Sequence, residues 1–115
     1  PTSPLLDLSS CCEPLAADVP DEQESAQLAA AFRALGDPVR LRLLGLLLAA
    51  EDGEVCACDL TEPLGRSQPT VSHHLKVLRE AGLVSATRRG TNMLYTVRTD
   101  QLAALRDVIG PGRSA

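Results

Sequence analysis

The sequence predicts a mainly helical α+β fold in which a short helix, a tight turn and a longer helix precede a two-stranded β-hairpin. Three observations support this fold class. Apolar residues recur at helical spacing over residues 68–81. Gly65 and Ser67 supply a turn and a helix cap directly before that segment. Two runs rich in strand-forming residues, 83–89 and 92–98, flank Gly90-Thr91.

The longer helix is predicted to have one apolar and one polar face. Its buried stripe consists of Val71, Leu75, Leu78 and Ala81. Pro69 falls in the first turn, where a missing N–H costs nothing, and Gly82 ends the helix. The residues largely off the stripe are Gln68, Thr70, Ser72, His73, Lys76 and Arg79. A front of amide, hydroxyl and imidazole groups followed by cations suits a DNA major groove.

Two helices are predicted before this pair. Residues 21–35 form the first, with acidic residues in its first turn and Gly36 after its end. Asp37 is expected to cap the second, with Pro38 at its first position. Leucines then recur on more than one side of residues 39–48, so we expect this second helix to be the central buried one.

A last helix is predicted after the hairpin, capped by Thr99 and Asp100. Its apolar stripe consists of Leu102, Leu105, Val108 and Ile109. A domain this small leaves little surface for that stripe to cover. We therefore expect it to pack, together with the first helix, against a second copy of the chain.

Charge is distributed unevenly along the chain. The net charge is −4, and residues 1–32 hold six acidic side chains and no Lys or Arg. Residues 63–98 hold six cations against Glu80 alone. Arg88 and Arg89 lie at the turn end of the predicted hairpin, where cations can meet phosphates or the minor groove. A basic surface on an acidic chain is therefore expected near the helix pair.

The chain divides into three predicted parts. Residues 1–20 hold four of the eight prolines and form a flexible arm that carries Cys11-Cys12, residues 21–110 form one domain, and residues 111–115 are a tail. We expect neither a membrane span nor a signal peptide. The protein is thus predicted to be cytoplasmic, with its four cysteines held as thiols. Adjacent thiols such as Cys11 and Cys12 can close together on one soft ion.

Three stretches resemble the ArsR/SmtB family of bacterial metal-sensing repressors in order and spacing. They are Phe32-Arg-Ala-Leu-Gly-Asp-Pro-Val-Arg-Leu-Arg-Leu-Leu, Val55-Cys-Ala-Cys-Asp-Leu and Ser67-Gln-Pro-Thr-Val-Ser-His-His-Leu-Lys-Val-Leu-Arg-Glu-Ala-Gly-Leu-Val. The resemblance covers roughly residues 22–109. It implies a winged helix-turn-helix homodimer that binds operator DNA and releases it when an inducer binds.

The resemblance also implies roles for individual residues. Ser67, Gln68, Thr70, Ser72 and His73 become the expected readers of bases and phosphates. Lys76, Arg88 and Arg89 complete the expected DNA-binding set. Glutamine can pair bidentately with adenine, and hydroxyls can serve bases or phosphates.

The Cys-x-Cys-Asp-Leu segment resembles the arsenic-sensing branch of that family, so As(III) or Sb(III) is the expected inducer. That branch commonly has a third cysteine shortly after, where this chain has Thr61-Glu62-Pro63. Cys56 and Cys58 alone therefore cannot complete a three-thiolate site. Cys11 and Cys12 resemble a second solution within the family, in which an N-terminal pair is joined by a thiol of the other subunit. Metal ligands are thus sought among Cys11, Cys12, Cys56 and Cys58, with the first two joined by Cys56, Cys58 or both from the other subunit.

Other functions remain open on the sequence. A Cd(II) or Pb(II) sensor uses a similar thiolate cluster, and a redox sensor would form a disulfide. A zinc sensor of the family needs His and carboxylates on the last helix, which offers Asp100, Gln101 and Asp107 but no His. A small thiol enzyme is the alternative of a different class. Cys-x-Cys is not the Cys-x-x-Cys of a thioredoxin-like site, and no phosphate loop or organic cofactor motif is present, so no enzymatic activity is expected.

Overall fold

Five α-helices and three β-strands make up the part of the chain that the computed structural model describes, which is Leu15 and residues 19–110. In chain order they are α1 (Glu22–Leu35), α2 (Pro38–Ala49), β1 (Val55–Cys56), a short 3₁₀ helix (Ala57–Asp59), α3 (Thr61–Leu64), α4 (Gln68–Glu80), β2 (Val84–Arg89), β3 (Asn92–Val97) and α5 (Thr99–Val108). The predicted mainly helical α+β class is confirmed.

Carboxylate caps start the first two helices. Asp21 accepts from the Glu24 backbone N–H at 2.8 Å, and the Glu24 side chain accepts from the Asp21 N–H at 3.1 Å. Asp37 accepts from the N–H groups of Val39 and Arg40. Each bond satisfies a donor that the first turn of a helix leaves without a partner. The capping box and the Asp37 cap thus fix where α1 and α2 begin.

The core is aliphatic, since its buried hydrophobic residues are alanine, leucine and valine. Leu43, Leu44 and Leu47 of α2 are buried in it. Leu41 and Leu48, one helical turn before and after Leu44, are 54% and 52% exposed. The predicted central position of α2 is confirmed, since it packs against α1, α3, α4 and β3. Burial of its whole leucine run is not, because a leucine run shows hydrophobicity but not which neighbours exist to cover it.

The sheet has three strands in the order β1-β3-β2, all antiparallel. The predicted hairpin is present, with Val84 opposite Val97 and Arg89 opposite Asn92 at its two ends. β1 was not predicted. It is two residues long, with Val55 opposite Tyr95 and Cys56 opposite Leu94, and so short a segment carries no alternating pattern. Its pairing places Cys56 on the edge of the wing sheet.

The last helix differs from the prediction at its cap and in its buried side. Arg98 occupies the cap position, and its side chain caps no backbone N–H of the helix but donates from Nη2 to the Asp100 carboxylate at 3.1 Å. The residues that α5 buries are Gln101, Ala104, Leu105 and Val108. Two members of the predicted outward stripe, Leu105 and Val108, thus face the domain itself, while Ile109 is 59% exposed. The reason is that the path of the chain from β3 sets the rotation of α5 about its axis. The spacing of apolar residues along α5 does not determine that rotation.

Two of the predicted parts fall largely outside the described residues. The backbone N–H of Leu15 donates to the Val108 carbonyl at 3.0 Å, which places residue 15 at the C-terminal end of α5. Cys11 and Cys12 of the predicted arm, and the predicted tail 111–115, lie outside the described residues. Among the described residues, no helix combines the length and apolar composition needed to cross a bilayer.

Candidate nucleic-acid interface and thiol site

A left-handed turn joins α3 to α4. Gly65 has φ 65° and ψ 34°, a conformation in which glycine pays no Cβ penalty. Two residues later, the Ser67 hydroxyl oxygen accepts the Thr70 backbone N–H at 3.4 Å, and Pro69 lies within the first turn. The turn and the cap predicted at these positions are confirmed. Together they set the direction of α4 relative to α3.

The two faces of α4 are separated as the spacing predicts. Val71, Leu75 and Leu78 are fully buried. The side chains on the other side are exposed, apart from the half-buried Thr70: Gln68, Ser72, His73, Lys76 and Arg79. Because the buried leucines and valine hold one side of the helix, its hydrogen-bonding side chains form a solvent-facing surface. That surface has the donors, acceptors and cations needed to contact DNA.

The first residues of this surface also serve the helix itself. The Ser67 hydroxyl donates to Thr70 Oγ1 at 3.0 Å while its oxygen caps the helix. A contact from Ser67 or Thr70 to DNA therefore competes with the cap. Gln68, which lies between them, has an exposed side chain and is not part of that hydrogen-bonded pair.

Arg40 ties the start of α2 to α4 and to the end of α1. Its Nη1 lies 3.1 Å from Nδ1 of His74 on α4. Its Nε donates to the Ala34 carbonyl, and its Nη2 donates to the Arg33 carbonyl at 3.4 Å. Both carbonyls lie at the C-terminal end of α1, where a cation is favoured, and the Arg33 carbonyl also accepts the Gly36 N–H at 3.1 Å. Nothing in the sequence indicates this role, although Arg40 stands in the Gly-Asp-Pro-Val-Arg motif.

The same junction sets the protonation of His74. Arginine only donates, so Nδ1 must accept and the ring proton must lie on Nε2. Burial lowers the pKa of His74, and the charges of Arg40, His73 and Arg66 lower it further, while Asp37 opposes them. His74 is therefore held neutral as a structural contact and is separate from the exposed His73.

The hairpin presents cations at its tip. Gly90 has φ 62° in a two-residue turn, and β2 ends with the exposed Arg88 and Arg89. Successive side chains of a strand point to opposite faces, so these two arginines face different directions. Arg89 Nη2 lies 3.4 Å from a Glu54 carboxylate oxygen, in the loop before β1. Arg89 thus forms an ion pair with Glu54 within the protein, and the sequence did not indicate this contact.

Cys56 and Cys58 lie side by side where the helix-turn-helix segment begins. Cys56 ends β1 in extended conformation, and its sulfur accepts the Cys58 backbone N–H at 3.3 Å, which caps the 3₁₀ helix. Cys56 is half-buried and Cys58 is exposed. The sequence left open whether the two thiols diverge. The change from strand to 3₁₀ helix between them keeps them adjacent.

Contact between the two thiols affects their chemistry. A hydrogen bond to the Cys56 thiol raises the pKa of Cys58, and desolvation and the charge of Asp59 add to that effect. The Cys58 thiol is therefore harder to deprotonate than an isolated cysteine thiol, despite its exposure. Within Leu15 and residues 19–110, no three His, Cys, Asp or Glu side chains gather closely enough to hold a metal ion. Two thiols of the predicted site are brought together, and Cys11 and Cys12 lie outside the described residues.

Helix α4 is capped, has a polar exposed face and forms a helix-turn-helix with α3, and a basic antiparallel hairpin follows it. This arrangement defines a winged helix-turn-helix DNA-binding protein. The model of the bacterial regulatory proteins of the arsR family matches residues 37–86. The chain is 45% identical over 71 residues to an uncharacterized HTH-type transcriptional regulator of Methanocaldococcus jannaschii, covering 62% of this chain and 78% of that protein. It belongs to the arsR family of transcriptional regulators.

Relatives with named functions are similarly close. An arsenical resistance operon repressor of Staphylococcus xylosus is 41% identical over 76 residues, covering 66% of this chain and 70% of the relative. A probable mercury resistance operon repressor of Streptomyces lividans is 45% identical over 74 residues, covering 64% of this chain and 57% of the relative. Membership of a transcription-regulator family fits the predicted class rather than the thiol-enzyme alternative. The family alone does not name the inducer.

The fold also matches solved structures. The homodimeric winged helix-turn-helix DNA-binding domain of a possible ArsR-family regulator from Mycobacterium bovis aligns with TM-score 0.62 at 30% identity. The alignment covers 75% of this chain and 80% of that one. The predicted winged helix-turn-helix fold is thereby confirmed.

Proposed function

We propose that this chain is an arsenite- and antimonite-responsive repressor that binds operator DNA as a homodimer and releases it when As(III) binds cysteine thiolates. The observation that carries the proposal is the adjacent pair of Cys56 and Cys58 at the start of the helix-turn-helix segment. The arsenical resistance repressor among the relatives adds support. The whole inducer assignment depends on the chemistry of these thiols.

The donor set fits As(III) if a third thiol joins the pair. Soft thiolates are the ligands that such an ion selects. If it binds, As(III) would link three thiolate sulfurs to one another. We propose that Cys11 and Cys12, carried on an arm formed by residues 1–20, combine with Cys56 or Cys58 of the other subunit of the dimer. Residues 21–110 would then form the DNA-binding and dimerisation domain, followed by a tail at 111–115.

The position of the thiol pair explains how inducer binding would reach DNA. Cys56 pairs with Leu94 in β3, which is a strand of the wing. Cys58 lies in the 3₁₀ helix that leads into α3 and the turn before α4. An ion that draws these two thiols toward a third one would therefore shift both the wing sheet and the segment that leads to α4. If the liganded arrangement fits DNA less well, linkage requires inducer binding to weaken operator affinity.

On the DNA side, we propose that α4 enters the major groove. Gln68, Ser72 and His73 are its exposed base-edge candidates, and Ser67 and Thr70 serve at its start. Lys76, Arg88 and Arg89 are the proposed phosphate contacts. A two-fold dimer then requires an imperfect palindrome with half-sites about one helical turn apart.

The test is a titration of the reduced protein with arsenite that follows sulfur-to-arsenic absorption and release of operator DNA together. The operator is first obtained by selection from random duplexes. Wild type is compared with Cys11→Ser, Cys12→Ser, Cys56→Ser and Cys58→Ser. One arsenic per subunit, with Cys11, Cys12 and one of Cys56 and Cys58 required, is the expected result. An intact response in the double variant Cys11→Ser plus Cys12→Ser contradicts the shared site.

A second candidate inducer is a divalent soft metal. A dithiol also suits Cd(II), Pb(II) or Hg(II), and the relative named for mercury resistance makes this class worth testing in parallel. If one of these metals or an oxidant releases DNA and arsenite does not, the chain is still a repressor, but its inducer is not arsenite.

A further inference from the structure

The ion pair between Glu54 and Arg89 spans the wing sheet. β1 and β2 occupy opposite edges, with β3 between them. Arg89 ends β2 and Glu54 directly precedes β1, yet Arg89 Nη2 approaches the two Glu54 carboxylate oxygens to 3.4 Å. The Arg89 side chain therefore reaches back across the sheet and is held by a carboxylate of the same protein.

This contact is weak enough to exchange. The Arg89 side chain is 65% exposed and the Glu54 side chain 30% exposed. An exposed ion pair contributes little because water screens it and both side chains lose rotamer freedom in making it. A DNA phosphate offers the same guanidinium an acceptor of equal charge, and displaces counterions from the duplex when it is neutralised. Arg89 therefore has two competing acceptors when DNA is present.

We propose that Glu54 is an internal competitor for Arg89 that lowers the affinity of the free protein for DNA. This inference rests on the proposed DNA-binding function. It adds that Glu54, an acidic residue, lowers the DNA affinity that the basic residues provide. Release of Arg89 from Glu54 accompanies the contact of the wing with a phosphate. Because the contact is to phosphate, the effect of Glu54 is independent of DNA sequence.

The neighbouring residues provide matched controls. Arg88 precedes Arg89 on the same strand and forms no ion pair among the described residues. Asp52 lies in the same loop as Glu54, is exposed, and likewise pairs with no cation within residues 19–110. Asp52→Asn removes one negative charge from this loop without freeing an arginine.

The experiment measures binding of the full chain to a mixed-sequence duplex of about 30 base pairs at low salt, by fluorescence anisotropy. The variants are Glu54→Gln, Arg89→Gln, the double variant, and Asp52→Asn. We expect Glu54→Gln to bind about two- to fivefold more tightly than wild type, the range that loss of an exposed ion pair can give. Arg89→Gln binds more weakly, and adding Glu54→Gln to it restores nothing. Asp52→Asn stays closer to wild type than Glu54→Gln does.

The outcomes separate this proposal from the one on which it rests. Two results would overturn the competition, because each would mean that only net charge affects DNA affinity. One is that Glu54→Gln raises DNA affinity equally in the wild-type and Arg89→Gln backgrounds. The other is that Asp52→Asn raises DNA affinity as much as Glu54→Gln does. Wild type that binds no duplex at any salt concentration overturns the DNA-binding function, and the competition with it. Unfolding curves of the four variants show whether each is folded before binding is compared.

Discussion

Arg40 meets His74 at 3.1 Å between Nη1 and Nδ1, and the same guanidinium holds the last carbonyls of α1. One side chain thus connects three helices, including α4, whose exposed face carries the residues proposed to contact DNA. The orientation of α4 depends on this polar junction as well as on its buried leucines.

Replacing Arg40 tests that dependence. Arg40→Met keeps the apolar stem but removes every side-chain donor, and we expect it to lower the free energy of unfolding by about 1–2 kcal/mol, because the half-buried acceptors at Ala34 and His74 lose their partner. DNA affinity should fall as well, since α4 loses its tie to α1. Chemical denaturation and duplex binding measure the two effects. Arg33→Met, at an exposed position on α1, is the control, and equal effects of the two substitutions would contradict the role of Arg40.

The lowered pKa of His74 predicts how stability depends on pH. The unfolded chain takes up a proton near the ordinary histidine pKa of about 6.5, while the folded state resists protonation until lower pH. The unfolded state therefore binds more protons in that interval, so stability falls as pH drops below about 6.5. His74→Gln should flatten this part of the profile, measured by denaturant melts between about pH 5 and 8. His73→Gln removes an exposed imidazole as the control, and a wild-type profile in His74→Gln would refute the assignment.

The contact between Cys56 and Cys58 predicts unusual thiol reactivity. Because the Cys56 thiol is the main cause that raises the pKa of Cys58, the thiolate fraction of Cys58 is low despite its exposure. Cys56→Ala should speed alkylation of Cys58 by iodoacetamide near neutral pH, measured by peptide mass spectrometry. Asp59→Asn should speed it less, since Asp59 contributes less to the shift. An unchanged rate in Cys56→Ala would show that the two thiols do not interact.

Proton release separates arsenite from a divalent metal. As(OH)₃ exchanges three As–O bonds for three As–S bonds, and each released hydroxide takes one thiol proton to form water. The exchange therefore releases no net proton, and DNA release by arsenite should vary little between pH 6 and 8. A divalent metal must displace the protons, so its affinity should rise about tenfold per pH unit for each thiol bound. Titrations at about pH 6, 7 and 8 decide between them, and a steep pH dependence for arsenite would contradict exchange at protonated thiols.

Lys76 and Gln68 predict different losses at the DNA interface. Lys76→Ala should weaken binding to every duplex alike and reduce the slope of log affinity against log salt by about 1 per subunit. Gln68→Ala should keep the slope and relax sequence preference at one position, at a cost of about 1–3 kcal/mol on the preferred site. Anisotropy at several salt concentrations with selected and mixed duplexes measures both. The same slope change in both variants would mean that Gln68 contacts phosphate instead.

Much of the fold could be predicted because its signals are local. Asp37 before Pro38, Gly65 before Ser67, and the stripe from Val71 to Leu78 each act through backbone conformation or a period of 3.6 residues. The hairpin around Gly90 is local in the same way. The predicted wing and the two faces of α4 followed from these signals.

The parts that could not be predicted depend on residues far apart in the chain. β1 exists only because Val55 and Cys56 reach β3, some 40 residues later. The contacts from Arg40 to His74 and from Arg89 to Glu54 join residues separated by 34 and 35 positions. Long polar side chains have many accessible partners, and their sequence neighbours do not select among them.

By itself, the sequence determined where most helices and the hairpin lie and which side of α4 is buried, and it named the thiols proposed to bind a soft ion. Only the tertiary structure decided that Leu105 and Val108 turn inward while Leu41 and Leu48 stay exposed. It also brought the thiols of Cys56 and Cys58 together beside the wing strand. The physical reason is that capping and periodicity act within a few residues, whereas burial and side-chain partners are set by the rotation at which whole elements pack.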